Sequence, residues 1–201
     1  MAPNEYSLAF NAAIFLDRDG VLIEDVDQLT DAAQIRILAG VPAALQNLKR
    51  AGYRLIVVSN QPVIAPGLPS EPDVLALQEK INYCFIASGA PPMDAFYFCP
   101  HHPKATLPIY RQDCDCRKPK PGLLLRAAQE HDIALTRSFM IGDRITDIIA
   151  GARAGCRTIL MQTGKHLAPP IQTNEPLDLS AQPDYTCPDL LAAARWILEV
   201  T

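Results

Sequence analysis

Two aspartates one residue apart, Asp17 and Asp19, follow an apolar run at 12–16 and precede Gly20. The run predicts a buried strand, and the glycine predicts the turn after it. Two carboxylates at the end of a strand repel each other unless a cation or a proton lies between them. One could attack an electrophile while the other moves a proton, with a hard divalent metal to balance their charge. The alternative is an acidic turn without chemistry.

Strand and helix patterns alternate along the rest of the chain. Apolar, β-branched or aromatic runs predict strands at 12–16, 53–59, 95–98, 138–141 and 156–161. Helical periodicity predicts helices at 41–51, 70–87, 121–131, 145–154 and 186–200, with a polar surface excursion at 164–186. This order predicts an α/β fold, a parallel sheet with helices on both faces.

Polar residues follow three of the predicted strands. In open parallel sheets, sites lie beyond the carboxyl ends of the strands. That rule brings together the Asp17–Asp19 pair, the Ser59-Asn60-Gln61 segment and the Gly142-Asp143 pair. We therefore expect residues far apart in the sequence to meet at one edge of the sheet.

These residues suit phosphoryl chemistry. Asp17 is placed to be a nucleophile and Asp19 a general acid and base, while Asp143 and Asp147 add carboxylates for a Mg²⁺ site. Ser59 can donate a hydrogen bond to a phosphoryl oxygen, and Lys118 can neutralise phosphoryl charge. Each residue alone has another explanation: Asp143 could cap a helix, and Asp147 could be a first-turn acid favoured by the helix dipole. Their joint occurrence favours a site.

A second cluster has the spacing of a metal site. Cys99 and His101 are followed after twelve residues by Cys114 and Cys116, which offers four ligands for a closed tetrahedral Zn²⁺ site. We predict His101 rather than His102, because His101 fits the Cys-x-His spacing. The alternative is a set of free thiols and loop histidines. A closed shell leaves no water position, which indicates a structural zinc that pins the loop at 99–116.

Composition limits the remaining possibilities. A chain of 201 residues is most simply one domain, here a core at 12–163 followed by an excursion and helix at 164–201. The formal net charge of −4 argues against nucleic-acid binding. No apolar run approaches a membrane span, and no basic segment followed by an apolar one marks a secretory signal. With cysteines spaced for metal, we expect a cytoplasmic protein, by default a monomer.

Four motifs together resemble those of the haloacid dehalogenase-like phosphatases, in the same order. They are Asp17-x-Asp19-Gly20-Val21, Ser59-Asn60-Gln61, Lys118-Pro119 and Gly142-Asp143-x-x-x-Asp147. The resemblance implies a Rossmann-like sheet, an aspartyl-phosphate intermediate and Mg²⁺. It also implies that Asp17 and Asp143 bind the metal through their side chains and Asp19 through its carbonyl, and that Ser59 and Lys118 steady the phosphoryl group.

The zinc loop narrows the resemblance. A zinc loop running into Cys116-Arg117-Lys118-Pro119 is similar to the D-glycero-D-manno-heptose 1,7-bisphosphate phosphatases and the related histidinol-phosphate phosphatases. This implies little or no cap domain, and a small phosphorylated sugar of lipopolysaccharide precursor synthesis as substrate. Arg117 would bind the phosphate that remains on the sugar, and Asp25, Asn60 and Gln61 would lie along the sugar. Arg144 would keep the positive charge that a lysine often provides at this position.

Two segments depart from the pattern of the heptose phosphatases. After Gln61 those enzymes usually continue Ser-Gly-Ile-Ala-Arg-Gly, whereas this chain has Pro62-Val63-Ile64-Ala65-Pro66-Gly67. Asp27 and Gln28 stand where a Gly-Tyr pair is common. Neither segment contains the nucleophile, the acid and base, or a zinc ligand. We therefore expect altered sugar contacts and unaltered chemistry.

Three alternatives to a heptose bisphosphatase remain at this point. The same chemistry could act on histidinol phosphate or another small phosphate. A catalytically inactive, zinc-stabilised binding protein could retain the motifs. A phosphomutase would need something to exclude water, and no cap-sized insertion separates the first two motifs.

Overall fold

The computed structural model describes residues 11–26, 29–62, 69–168, 178 and 180–201. Six parallel strands form one sheet in the order β3-β2-β1-β4-β5-β6. The strands are β1 (Ala13–Leu16), β2 (Arg54–Asn60), β3 (Ala95–Cys99), β4 (Phe139–Gly142), β5 (Arg157–Met161) and β6 (Tyr185–Cys187). The prediction of an α/β fold with a parallel sheet is confirmed.

In the part of the chain that the structure describes, five α-helices cover the two faces of the sheet. They are α1 (Val41–Arg50), α2 (Glu71–Ala87), α3 (Gly122–His131), α4 (Ile145–Ala154) and α5 (Leu190–Glu199). Alternate residues of β1 point to opposite faces: Ile14 and Leu16 pack in the core under α1, α2 and α5, whereas Ala13 and Phe15 pack in the core under α3 and α4. Both faces of the sheet are therefore buried, which explains the continuous apolar runs of the strands.

The end of the chain differs from the prediction. We expected a surface excursion through residue 186 and a helix from there. Instead, Tyr185–Cys187 forms β6, which pairs with β5, and α5 begins at Leu190. The Tyr185 ring stacks on that of Trp196 at 4.7 Å between centroids. A strand of three residues has too short a pattern to be recognised, and its pairing with a distant strand stabilises it.

The described residues between β1 and α1 form no cap domain. They contain short bridges of Ile23 with Asp19 and Ile37, and a 3₁₀ turn at Ala32–Gln34. The two segments that depart from the resemblance, 27–28 and most of 62–67, lie outside the described residues. Among the described helices, none has the length and apolarity to cross a membrane.

The strand order reverses between β1 and β4. Strands β2 and β3 lie on one side of β1, and the chain then crosses to β4 on the other side. Such a switch point opens a crevice at the carboxyl ends of the two strands. Asp17 follows β1 and Asp143 follows β4, so the fold places both at this crevice.

Candidate active site

A buried lysine joins two of the carboxylates at the crevice. The Lys118 ammonium lies 3.0 Å from Asp17 Oδ1 and 2.7 Å from Asp147 Oδ1, and it donates to the Val58 carbonyl at 2.9 Å. Lys118 is only 2% exposed. Burial alone would lower the pKa of Lys118, but the charges of Asp147 and Asp17 outweigh it, so its pKa is raised and the ammonium stays charged.

Asn60 and the Arg18 amide fix the neighbours of this ion pair. The Asn60 side chain accepts from the Lys118 N–H and donates to the Lys118 carbonyl, each at 3.1 Å. The Arg18 backbone N–H donates to Asp17 Oδ1 at 2.7 Å. Oδ1 of Asp17 therefore takes two donors, the Arg18 N–H and the Lys118 ammonium, which orients the carboxylate.

Asp143 completes a group of three buried acids. Its Oδ2 accepts from the Lys165 N–H at 2.6 Å, whereas its buried Oδ1 has no hydrogen-bond partner among the described residues. Gly20 permits the close approach: its φ is +79°, and a Cβ there would lie 2.5 Å from Asp143 Oδ2. Asp143 does not cap α4; Arg144 is the N-cap, and Asp147 Oδ2 accepts from its N–H.

The three acids fit a divalent cation. Asp17, Asp143 and Asp147 offer carboxylate oxygens within 4.8 Å of one another. Burial raises the pKa of Asp143 to about 6, and the charge of Asp17 adds to the shift. Burial likewise raises the pKa of Asp147 to about 7, although Lys118 opposes it. One ammonium does not balance three acids, so the unpartnered Asp143 Oδ1 suits a hard cation such as Mg²⁺.

Replacing Lys118 with methionine should strongly destabilise the fold in the absence of metal. The change leaves Asp17, Asp143 and Asp147 without a cation, and removing one partner of a buried ion pair costs about 3–5 kcal/mol. We expect thermal unfolding at a clearly lower temperature, with a larger gain on adding Mg²⁺ than the unaltered chain shows.

Lys120→Met is the matched control for Lys118→Met. Lys120 pairs with the exposed Asp113 at 2.8 Å, and such a surface pair contributes at most about 1 kcal/mol. Equal melting temperatures of the two variants would contradict the role of Lys118 in balancing the acids.

Asp19 faces a different set of partners. Its carboxylate takes three contacts from the Arg18 guanidinium at 2.9–3.2 Å and one from Gln61 Nε2 at 2.8 Å. Gln61 Nε2 also donates to Ser59 Oγ at 2.9 Å. Because Ser59 Oγ accepts this bond, its own proton remains for another acceptor. The Asp19 side chain is thus separate from the three acids, as expected if only its carbonyl reaches a metal.

A cavity of about 290 Å³ opens above these groups. The apolar residues among its described lining are Val26, Leu29, Pro62, Pro69, Val74 and Leu77. Many of the other lining residues are charged. Among the described lining residues the cations are Arg18, Arg117, Lys118, Arg144 and Lys165, and the acids are Asp17, Asp19, Asp25 and Asp147. All five predicted substrate-binding residues line the cavity, and so does Ser59; Asp143 lies buried beneath it.

Sequence reasoning missed two of the charged lining residues, Arg18 and Lys165. Arg18 counted only as the residue between the two acids, and Lys165 fell in the predicted surface excursion. Lys165 Nζ lies 2.9 Å from Asp25 Oδ2, and Arg144 Nη2 lies 3.9 Å from the same oxygen. Lys165 comes just after β5, so the rule that selected the ends of the other strands would have indicated this segment too.

The predicted zinc ligands lie together in the loop after β3. Cys99 Sγ is 3.5 Å from Cys114 Sγ, which is 3.1 Å from Cys116 Sγ; His101 Nδ1 is 3.4 Å from Cys116 Sγ. Ligands of a tetrahedral zinc with bonds near 2.3 Å would lie about 3.8 Å apart. His102 turns elsewhere, since its Nδ1 accepts from the Lys104 N–H. The geometry fits the predicted choice of His101.

One of the three sulfurs, that of Cys116, favours the thiolate, whereas burial raises the pKa of Cys114. A hydrogen bond from Cys99 is the main cause that lowers the pKa of Cys116 to about 5, and the same contact raises the pKa of Cys99. A thiolate is what zinc binds. The His101 carbonyl accepts from Arg117 Nη1 at 2.9 Å, so the loop is tied directly to a cation of the cavity.

Comparison with known proteins identifies relatives over most of the chain. A family model described as HAD-hydrolase-like matches residues 115–193. The D-glycero-β-D-manno-heptose-1,7-bisphosphate 7-phosphatase of Pasteurella multocida is 45% identical over 76% of this chain and 83% of its own length. The enzyme of the same name from Haemophilus influenzae is 42% identical over 77% of this chain and 84% of its own length.

A solved structure shares the fold over nearly its full length. It is the D,D-heptose 1,7-bisphosphate phosphatase of B. bronchiseptica complexed with magnesium and phosphate. The TM-score is 0.76 at 30% sequence identity, and the match covers 94% of this chain and 99% of that one.

Proposed function

Because this chain belongs to the family of haloacid dehalogenase-like heptose 1,7-bisphosphate phosphatases, we propose that it is a Mg²⁺-dependent phosphatase of that sugar. The names of its relatives point to removal of the 7-phosphate from the β-anomer. One observation carries the proposal: the nucleophile candidate Asp17 lines a cavity together with Lys118 and with Arg144 and Lys165, which both approach Asp25 Oδ2. Two cationic groups in one cavity suit a substrate with two phosphates.

The reaction begins with attack of Asp17 on phosphorus. Lys118 and the Arg18 N–H hold Oδ1, which leaves Oδ2 as the attacking oxygen. The bond from phosphorus to the sugar oxygen breaks, and that oxygen takes its electron pair and a proton from Asp19. Ser59 donates its free proton to a phosphoryl oxygen, and Lys118 offsets the charge that develops there.

Hydrolysis of the aspartyl-phosphate completes the cycle. Asp19, now a carboxylate, takes a proton from a water molecule, and the water oxygen bonds to phosphorus. The bond from phosphorus to Asp17 breaks, which releases inorganic phosphate and restores the carboxylate. Asp19 therefore needs a fixed position through both steps.

We propose that Asp17 and Asp143 hold Mg²⁺ through their side chains and Asp19 through its carbonyl. When bound, the cation neutralises charge on the carboxylates and the phosphoryl group. Asp147 acts through Lys118 instead, since its Oδ1 contacts the ammonium and its Oδ2 caps α4. A structural Zn²⁺ held by Cys99, His101, Cys114 and Cys116 would fix the loop that carries Arg117.

The remaining cavity residues suit the sugar and its second phosphate. Arg117 and Arg144 provide guanidinium groups for the phosphate that stays on the sugar. Asp25 and Gln61 offer polar groups to the sugar hydroxyls. Asn60 lines the cavity, but its amide engages the Lys118 backbone at both ends, so we assign it chiefly to positioning Lys118.

The domain organisation, the kind of substrate and the setting of the enzyme belong to the same proposal. The C-terminal elements β6 and α5 join the same sheet and core as the rest, which supports one catalytic domain over 1–201. The net charge of −4 and the acids of the cavity support a small-molecule substrate rather than a nucleic acid. We also propose that the enzyme is monomeric and cytoplasmic. Its substrate would be a sugar phosphate precursor of lipopolysaccharide.

Turnover of a substrate panel tests the proposed function. With Mg²⁺ present, the α- and β-anomers of heptose 1,7-bisphosphate are compared with histidinol phosphate, and phosphate release is measured. We expect the highest kcat/KM for the β-anomer, with heptose 1-phosphate as product. A higher kcat/KM for histidinol phosphate would identify that compound as the substrate of the same reaction. Absence of phosphate release from every compound would favour an inactive binding protein.

A further inference from the structure

A closed set of hydrogen bonds connects the general acid to the serine of the site. Arg18 Nη2 donates to Asp19 Oδ2 at 2.9 Å and to Gln61 Oε1 at 2.8 Å, and Gln61 Nε2 donates to Asp19 Oδ2 at 2.8 Å. The same Nε2 reaches Ser59 Oγ at 2.9 Å. Each member therefore has its orientation set by the others.

Arg18 decides which way the Gln61 amide faces. A guanidinium can only donate, so the Gln61 carbonyl oxygen must turn toward Arg18. The NH₂ group must then face Asp19 and Ser59, where both partners accept. This amide orientation gives Gln61 three contacts within the site before any substrate enters.

Two members of the arrangement are buried. Arg18 is 2% exposed and Ser59 1% exposed, although both border the cavity. A buried guanidinium must be paired, and the carboxylate that pairs it is that of Asp19. On Asp19, Oδ2 takes contacts from Arg18 Nε, Arg18 Nη2 and Gln61 Nε2, whereas Oδ1 takes only Arg18 Nε at 3.1 Å. Oδ1 is therefore the oxygen left to meet a leaving group.

We propose that Arg18 and Gln61 are positioning residues that hold the Asp19 carboxylate against the leaving-group oxygen and in register with Ser59. This inference rests on the proposed function, because it assigns Asp19 the proton that the leaving oxygen receives as its bond to phosphorus breaks. It adds to the sugar contact proposed for Gln61 a second role, the support of the general acid. It also gives Arg18 a role that the spacing of the two acids did not suggest.

Dependence of the rate on the leaving group tests the inference. Phenyl phosphate needs a proton on its departing oxygen far more than p-nitrophenyl phosphate does, because nitrophenolate leaves readily as the anion. Neither compound carries sugar hydroxyls, so a lost sugar contact would affect neither of them. The measured quantity is kcat/KM, which reports the steps up to leaving-group departure and excludes hydrolysis of the aspartyl-phosphate.

Gln61→Met keeps the side-chain length and removes the three amide contacts, with Arg18, Asp19 and Ser59. Since general acid catalysis contributes roughly 10²–10⁴-fold, we expect its kcat/KM to fall about tenfold more for phenyl phosphate than for p-nitrophenyl phosphate. Asp19→Asn should show the same selectivity to a larger degree. Gln46→Met is the control: Gln46 bonds the Gly89 carbonyl on the surface, away from the cavity, and its loss should leave the ratio of the two substrates unchanged.

Equal losses of Gln61→Met on both aryl phosphates would overturn the inference, since a purely structural role predicts that result. No loss on either compound, the result that a sugar contact alone predicts, would overturn it as well. The proposed function fails separately, if the unaltered chain releases no phosphate from the heptose bisphosphate while its aryl phosphatase activity and leaving-group dependence remain measurable.

Discussion

Replacement of Asp17 with asparagine should lower kcat for the sugar bisphosphate by about 10⁴-fold or more, the scale seen when a covalent nucleophile is removed. The amide is nearly the same size as the carboxylate but does not attack phosphorus. Its oxygen can still accept from the Arg18 N–H and Lys118, so the local structure should persist. The charge of Asp17 contributes to raising the pKa of both Asp143 and Asp147, and its loss relieves that repulsion.

We therefore expect Asp17→Asn to melt near the temperature of the unaltered chain. Mass spectrometry of the quenched reaction should find a phosphorylated Asp17 peptide only in the unaltered chain. Asp132→Asn is a matched control, because Asp132 is exposed and has φ of +53°, a conformation that asparagine also tolerates. Phosphate release by Asp17→Asn within tenfold of the control would refute the nucleophile and, with it, the mechanism.

Most of the site was predictable because strand ends are predictable. An apolar run followed at once by a polar residue gives both the strand and its carboxyl end, and parallel pairing then brings Asp17, Ser59 and Asp143 together. The metal cluster of the loop was predictable for a similar reason, since Cys-x-His and Cys-x-Cys each place two ligands on one short turn.

Orientation and long-range pairing were not predictable from the same patterns. An amide such as Asn60 indicates a hydrogen bond but not its partner, which here is the backbone of Lys118, 58 residues away. The direction of the Arg18 side chain depends on Gln61, a residue of another strand end. Strand β6 is held by its pairing with β5 and by the ring contact with Trp196, neither of which leaves a local signal.

Lys165 shows a different limit. The segment after β5 is polar and rich in turn-forming residues, which is typical of a surface loop. Its backbone nevertheless approaches the site, where the Lys165 N–H donates to Asp143 and Thr163 Oγ1 donates to the Gly20 carbonyl at 2.5 Å. Polarity alone does not separate a solvated loop from one that borders a charged cavity.

Loss of zinc should lower both the melting temperature and kcat/KM, because the loop after β3 has few apolar residues to hold it. Metal binding and folding of such a site are one process, and zinc contributes on the order of 10 kcal/mol in small zinc domains. We expect Cys116→Ser to bind less than one zinc per chain by elemental analysis and to melt about 10 °C lower or more. Its kcat/KM should also fall at least about tenfold, since the next two residues are the cations Arg117 and Lys118.

A second cysteine provides the control for this prediction. Cys84 lies on α2, half-buried and outside the cluster, so Cys84→Ser should keep one zinc per chain and nearly the full rate. Should Cys116→Ser fail to fold, slow chelation of the unaltered chain, followed by return of Zn²⁺, measures the same dependence. Loss of zinc with no change in melting or rate would mean that the Arg117 contact with the His101 carbonyl holds the loop without the metal. Because that contact is one hydrogen bond, of roughly 1 kcal/mol, it is too weak to replace four metal–ligand bonds.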